Sequence, residues 1–381
     1  MIPRFSLHVS ALGLLILLGA CGGGGGGGGG GGTTPPPATP VAATPVVATS
    51  AQQNGAVIAS LSTTTAGATI YYTVDGTTPT TASQHYEAPF LVAANVTVKA
   101  IAAASGYTNS AAASQVFAPN IPANTLVWAD EFSNSTGSPK APDATIWGYD
   151  TGNGGFGNHE LETYCTATSN TAPCDSANPN ASVGTDGLLH IVARQPTPGT
   201  YTSARMKTQG LFSFQYGRFE VRARAPEAQG LWPAVWTLGN NITTVNWPAS
   251  GEQDILERVN GPLTPDWNES SIHGTGFIGG TGLGTTYNFP AGRTAADWHT
   301  YGMIWKPGSV AYYIDNAATP FATFTTASIT GFPGAVWPFD AGQSNFIIMN
   351  LAVGGDWPGA PNGATPFPSE MQVDYVRLYT N

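Results

Sequence analysis

From residue 122 to residue 381 no segment sustains a helical period, and this constrains the fold more than any other feature of the chain. Short runs alternate instead: GRFEVRARA at 217–225, SVAYYIDN at 309–316 and MQVDYVRLY at 371–379, with Gly, Pro and Asn between them. Alternation puts every second side chain on one face of a strand, and Gly/Pro/Asn clusters end strands. About 260 residues of this pattern predict one large all-β domain, a β-sandwich or β-jelly-roll, rather than several small ones. All ten Trp, from Trp128 to Trp357, fall inside it.

Charge narrows the function. A formal net charge of −10 with only 13 Lys+Arg excludes a nucleic-acid partner, which needs a basic footprint. The same balance disfavours sulphated polymers. No apolar run reaches the roughly 20 residues of a membrane span. The N-terminus nevertheless reads as an export segment. Arg4 precedes the apolar run ALGLLILLG at 11–19, and residues 1–20 end in Leu18-Gly19-Ala20 before Cys21. That junction resembles the bacterial lipoprotein box, which implies lipidation of Cys21; cleavage after Ala20 without lipidation is the alternative. The expected location is therefore the bacterial cell surface or outer membrane, or the medium if no lipid is added. Residues 22–32 are all glycine, followed by a Pro/Thr/Ala-rich stretch, so 21–45 reads as anchor and linker. Few thiols in an exported chain predict one disulfide between Cys165 and Cys174, two unpaired thiols being the alternative.

Residues 46–118 form a separate unit with strands predicted at 68–74 and 96–102. The segments IYYTVDGTTPTTAS and TVKAIAAASGYTNS resemble the small Ig-like β-sandwich module found at the C-terminus of chitobiases. The resemblance implies a spacer, with Tyr71, Tyr72 and Tyr86 available either to a sugar or to the module's own core.

The chemistry concentrates in GEQDILERVN at 251–260. In a regular strand Glu252 and Asp254 share a face and Glu257 takes the other. One extra residue at Ile255-Leu256, a β-bulge, returns Glu257 to their side. Two readings stand here: a catalytic carboxylate row, or a solvated acidic edge strand. Upstream, Trp232 and Trp236 share a face of GLWPAVWTLG at 230–239, which suits a cleft where sugar faces stack on indoles. Crowding three carboxylates makes it costly to ionise all of them, so one retains a proton.

Ten stretches together resemble glycoside hydrolase family 16, in its laminarinase-like branch: WADEF (128–132), GNHELETY (157–164), SARMKTQG (203–210), YGRFEVRARAP (216–226), GLWPAVW (230–236), GEQDILE (251–257), SIHGTG (271–276), DWHTYGMIW (297–305), NLAVGGDWPG (350–359) and FPSEMQVDYVRLY (367–379). The resemblance covers 122–381 and implies a β-jelly-roll, the concanavalin A-like sandwich, with a concave cleft and retaining hydrolysis. It implies Glu252 as nucleophile, Asp254 as assisting carboxylate and Glu257 as general acid, then base. It places Asn158, Arg205, Trp232, Trp236 and His273 against substrate, where Arg205 and His273 also admit a purely structural reading. It implies no cofactor for catalysis and a structural Ca²⁺ at Asp374 with backbone oxygens near Glu131 and Gly187. The resulting expectation is a monomeric endo-hydrolase of a neutral β-1,3-glucan. Mixed-linkage glucan, neutral galactan, transglycosylation and non-catalytic glycan binding are the rivals.

Overall fold

The computed structural model describes residues 38–279, 282–340, 342 and 344–381. The export segment, the glycine run and Cys21 lie outside the described residues.

The small module is two facing sheets. Strands Val46–Ala51, Val57–Ser62 and Phe90–Val92 form one; Gln84–His85, Thr69–Thr73, Val96–Ala103 and Ala113–Phe117 form the other. Period-two alternation sends Ile70 and Tyr72 inward, where they meet Leu61, Phe90, Val92 and Val98. Tyr72 stacks on Phe90 at 5.0 Å and meets Tyr86 edge-on at 6.3 Å. Of the three tyrosines offered to a sugar, Tyr72 is therefore buried core and Tyr86 packs against it. The linker also ends earlier than the sequence suggests. The Thr108 N–H donates to the Pro40 carbonyl and the Ala42 N–H to the Thr108 carbonyl, and Ala42 is buried. A Pro/Ala-rich segment gives no periodic signal, but its backbone groups pair with Thr108 in the connection between Val96–Ala103 and Ala113–Phe117.

The large unit packs two antiparallel-rich sheets face to face. The outer sheet has 10 strands and contains Gly217–Arg224, His299–Lys306, Ser309–Ile314 and Ser369–Tyr379. The inner sheet has 7, labelled in chain order β1 (Gly148–Asp150), β2 (Arg205–Lys207), β3 (Leu231–Gly239), β4 (Glu252–Glu257), β5 (Trp267–His273), β6 (Leu283–Asn288) and β7 (Asn345–Val353), arranged β6-β5-β4-β3-β7-β2-β1. Phe219, Val221, Tyr301, Met303, Trp305 and Tyr312 of the outer sheet meet Val235, Ile255, Leu256, Ile272, Ile347 and Met349 of the inner one. Strand β7 reads NFIIMNLAV, apolar almost throughout rather than alternating, and every residue of it is buried. One face lies on the core, while Phe346 and Ile348 of the other lie under Trp236 and Leu238.

The module is seated on this unit rather than strung from it. The Leu91 N–H donates to the Ser213 carbonyl at 2.9 Å, and Ser213 Oγ donates to the Pro89 carbonyl at 3.0 Å. Asn54 Nδ2 donates to the Leu126 carbonyl at 2.7 Å, and Ala56, Ile58, Leu91 and Ala93 join the large unit's core cluster. The spacer expectation is corrected on this point: the 46–118 unit shares a hydrophobic seam with the large domain.

Candidate active site

Strand β4 carries the carboxylates, and its local sequence forces their common face. Ile255 and Leu256 are both buried in the core, although they are adjacent. Two neighbouring residues can face the same way only where the ladder slips. The register does slip: Asp254 pairs with Trp236 and Leu256 with Val235 on β3, while Asp254 pairs with Ser271 and Glu257 with Glu269 on β5. Turning Leu256 outward would forfeit about 1.5–3 kcal/mol of burial, so apolar demand below the sheet fixes acid placement above it. Glu252, Asp254 and Glu257 consequently line one cleft of about 410 Å³, together with Trp232, Trp236 and Trp247. Gly251 opens the strand at φ +77°, and a Cβ there would lie 2.7 Å from Pro338 Cγ, so only glycine fits at the entrance to β4.

Each carboxylate has its own partners. Glu252 Oε2 accepts the indole N–H of Trp247 at 2.9 Å. Asp254 Oδ2 accepts Ser271 Oγ at 2.6 Å and lies 3.2 Å from His273 Nε2, which is 4.0 Å from Glu252 Oε1. Glu257 Oε1 accepts the indole N–H of Trp232 at 2.9 Å. From beneath, Tyr312 Oη donates to the Ser271 carbonyl at 2.7 Å and holds β5 in place.

Electrostatics separate the three acids. Burial and then the Asp254 charge push Glu252 up to about 8, against the imidazolium of His273 and the Trp247 donor. Burial, then Asp254, then Glu252 raise Glu257 well above the carboxylate range. Burial opposes a charge on His273, but the hydrogen bond and charge of Asp254 outweigh it and lift the ring to about 9. At neutral pH His273 is a cation beside Asp254 and Glu252, and Glu257 is the acid that most firmly retains its proton. Of the two glutamates Glu252 is the first to ionise as pH rises and Glu257 the last, the order that a double-displacement glycosidase requires of its nucleophile and its acid.

The remaining expected residues form the wall toward β2. Arg205 stacks on Trp236 at 4.8 Å and on Phe156 at 5.1 Å, and its Nε donates to Asp150 Oδ2 at 3.0 Å. Asn158 Nδ2 donates to Glu160 Oε1 at 3.1 Å. Sequence reasoning missed Trp247, Glu160 and Trp357. Trp247 sits in a loop, 46% exposed, where no strand alternation marks its direction. Trp357 meets Trp232 edge-on at 5.4 Å and Trp267 at 6.0 Å, extending the indole row past Glu257. Its stretch NLAVGGDWPG was singled out, but the ring's direction depends on a loop.

Cys165 and Cys174 are joined in a disulfide. At the expected calcium site both acidic side chains make ion pairs with arginine. Asp374 Oδ2 is held by the Arg222 guanidinium, and the Glu131 carboxylate takes both Nε and Nη2 of Arg377 at 2.8 Å. Gly187 lies in the turn closed by its N–H to the Gly184 carbonyl. The ligands expected there are the Asp374 carboxylate, which is shared with Arg222, and backbone oxygens near Glu131 and Gly187, which the Glu131–Arg377 pair leaves untouched. Glu252, Asp254 and His273 bring donor atoms within 4.8 Å of one another, but His273 is spent as a cation.

An open antiparallel sheet with crowded carboxylates beneath indoles defines a glycoside hydrolase of the jelly-roll type. The chain belongs to the glycosyl hydrolases family 16, whose profile matches residues 168–377. Residues 48–114 match the chitobiase/beta-hexosaminidase C-terminal domain. The chain is similar to a beta-glucanase of Rhodothermus marinus, 40% identical over 265 residues, covering 67% of this chain and 84% of that protein. The catalytic domain of an endo-1,3-beta-glucanase (laminarinase) from Thermotoga petrophila superposes with a TM-score of 0.58 at 36% identity, over 68% of this chain and 98% of that one. A keratan-sulfate endo-1,4-beta-galactosidase of Sphingobacterium multivorum is 34% identical, over 67% of this chain and 54% of that protein.

Proposed function

We propose that this enzyme cuts internal β-1,3 bonds of a neutral, laminarin-like glucan with retention of configuration. The observation that carries the reading is the bulge in β4, which gathers Glu252, Asp254 and Glu257 on one cleft face with Glu257 holding its proton hardest. In the first step Glu252 attacks the anomeric carbon, the glycosidic bond breaks, and Glu257 gives its proton to the departing oxygen. Asp254, anchored by Ser271 and His273, keeps Glu252 oriented. In the second step Glu257, now ionised, takes a proton from water, the water oxygen bonds to the anomeric carbon, and the ester to Glu252 breaks. Trp232 and Trp236 stack on sugar faces, with Asn158 and Arg205 on the β2 side and His273 beside the carboxylates. Family 16 glucanases need no catalytic cofactor, and every proton in this scheme sits on a named side chain.

The export reading completes the proposal: residues 1–20 direct secretion, Cys21 carries lipid, and the glycine-rich linker holds a monomeric enzyme off the bacterial surface, with the 46–118 module and the 122–381 catalytic domain beyond it. Support comes from the LGAC junction and the length of the linker. Incubation of a form starting near residue 38 with laminarin, lichenan, agarose and carrageenan tests the substrate. Rapid release of short oligosaccharides from laminarin supports the reading. Release only from lichenan or agarose moves the substrate to mixed-linkage glucan or galactan. Binding without release, together with an intact fold, refutes hydrolysis.

A further inference from the structure

Beside the cleft lies a second pair of acids that the reaction does not use. Glu160 is 7% exposed and Glu162 0%. Glu162 Oε2 accepts the Val353 N–H at 2.7 Å, and its Oε1 is buried with no donor among the described residues. Leu161 between them is 48% exposed, so the two buried carboxyls lie on the same inward face of the chain, where burial and the Glu160 charge raise Glu162. The titratable and charged groups facing the pair are Tyr164 on its own strand, Tyr201 opposite Glu162 in register, and Arg205 on β2; His159 and Asp356 pair with each other on the adjoining loops. Arg205 is committed to Asp150. No cation is therefore placed to offset two negative charges, so one shared proton is the electrostatically sound state.

Glu160 is also the foot of the cleft wall. Its Oε1 accepts Asn158 Nδ2 at 3.1 Å and its Oε2 accepts Tyr164 Oη at 2.8 Å. Tyr164 Oη in turn accepts Asn350 Nδ2 at 3.3 Å, and Asn350 Oδ1 accepts Trp236 Nε1 at 2.9 Å. Trp236 stacks on Arg205, Arg205 on Phe156, and Phe156 meets Tyr164 edge-on at 4.8 Å. The ring of contacts closes. Two of its substrate-facing members, Asn158 and Trp236, are reached by hydrogen bonds from the same carboxylate, and the third, Arg205, stacks on Trp236.

We propose that Glu160 and Glu162 share one proton and act as a positioning pair for the sugar-binding wall, so that substrate affinity rather than the chemical step depends on that proton. The proposal rests on the cleft being the glucan site. When the proton leaves, two like charges face each other without solvent, and Glu160 can relieve the repulsion only by moving away from Asn158 and Tyr164. Burial and the Glu160 charge push Glu162 up to about 8, which puts the change in mild alkali.

The test is kcat and KM on laminarin, measured separately from about pH 6 to 9.5, for the wild-type protein, Glu162→Gln and Glu160→Gln. Wild-type KM rises about tenfold across the interval, as expected for loss of roughly one charge-assisted hydrogen bond. Glu162→Gln supplies a neutral donor to Glu160 and cannot ionise, so its KM is the same at both ends of the range. Glu160→Gln raises KM about tenfold at every pH while kcat changes far less. Thermal melts check that each variant is folded; if Glu160→Gln is not, Glu162→Gln carries the test alone. A wild-type KM flat with pH, or a Glu162→Gln profile that follows the wild type, overturns the pair while leaving the hydrolase standing. A wild-type protein that hydrolyses no glucan removes the site reading and this inference with it.

Discussion

Replacing His273 by Gln should move the whole pH–activity profile toward alkali. His273 Nε2 lies 4.0 Å from Glu252 Oε1 and 3.2 Å from Asp254 Oδ2, with 14% of its side chain exposed. Unit charges about 4 Å apart interact by about 4 kcal/mol at an effective dielectric of 20, which bounds the effect at about 3 pKa units. Relaxation and water entry in the variant reduce this to about 1–2 units. Glutamine keeps a donor toward Asp254 and removes the charge. The sign is the same for both catalytic acids, because the imidazolium favours the ionised form of each. Glu252 then ionises only at higher pH, so the acid limb of kcat/KM rises by about 1–2 units, and near pH 6 the rate falls by about 10–100-fold. Glu257 keeps its proton to higher pH, so the alkaline limb rises too. The assay is kcat/KM on laminarin across the pH range, with melting checked in each buffer. A folded variant whose limbs stay where the wild type's are would refute the assignment of His273 as the charge that keeps Glu252 ionisable.

Other outcomes follow from the same structure. Stability should fall as pH rises from about 5 to 9: Glu252 and Glu162 are pushed up to about 8 and His273 to about 9, so each folded-state proton stabilises at low pH and is lost on passing those values. A melting temperature that climbs over this interval contradicts the buried, proton-holding acids. Gly251→Ala should destabilise by about 2–4 kcal/mol, from the left-handed backbone and the contact with Pro338, and lower the melting temperature by several degrees; an unchanged melt would mean the strand entrance can shift. Leu91→Asp should loosen the module seam at a cost of about 2–4 kcal/mol and open the 118–122 connection to limited proteolysis; full resistance would show that the seam contributes little. Chelation with EDTA should leave the melt unchanged, since Arg222 already pairs with Asp374, the side-chain ligand expected of the site; a drop reversed by calcium would establish the expected ion site.

What could be read in advance follows the range of the forces involved. The alternation in GRFEVRARA and MQVDYVRLY reports burial on one face of a strand, so the sheets were legible. The bulge was legible as well, because Ile255 and Leu256 are both apolar while Glu252 and Glu257 sit five apart. The Glu160–Tyr164–Asn350–Trp236 relay was not. It joins residues up to 186 positions apart, and nothing in GNHELETY says which polar group Tyr164 will meet. The module seam was hidden for a similar reason: it is built on backbone groups of Leu91 and Ser213, which every residue carries. The ion pairs of Arg222 with Asp374 and Arg377 with Glu131 were hidden too, because they reach across neighbouring strands and depend on register.

The most direct test of the central claim is azide rescue of alanine variants on an activated aryl β-glucoside of laminaribiose, with the product's anomeric configuration read by NMR. In Glu257→Ala the ester on Glu252 still forms, so azide should attack it and give the β-glycosyl azide. In Glu252→Ala azide should enter the vacated nucleophile side directly and give the α-glycosyl azide. That pair of opposite anomers assigns nucleophile and acid/base as the cleft geometry does. The reversed pair, or rescue of neither folded variant, would contradict it.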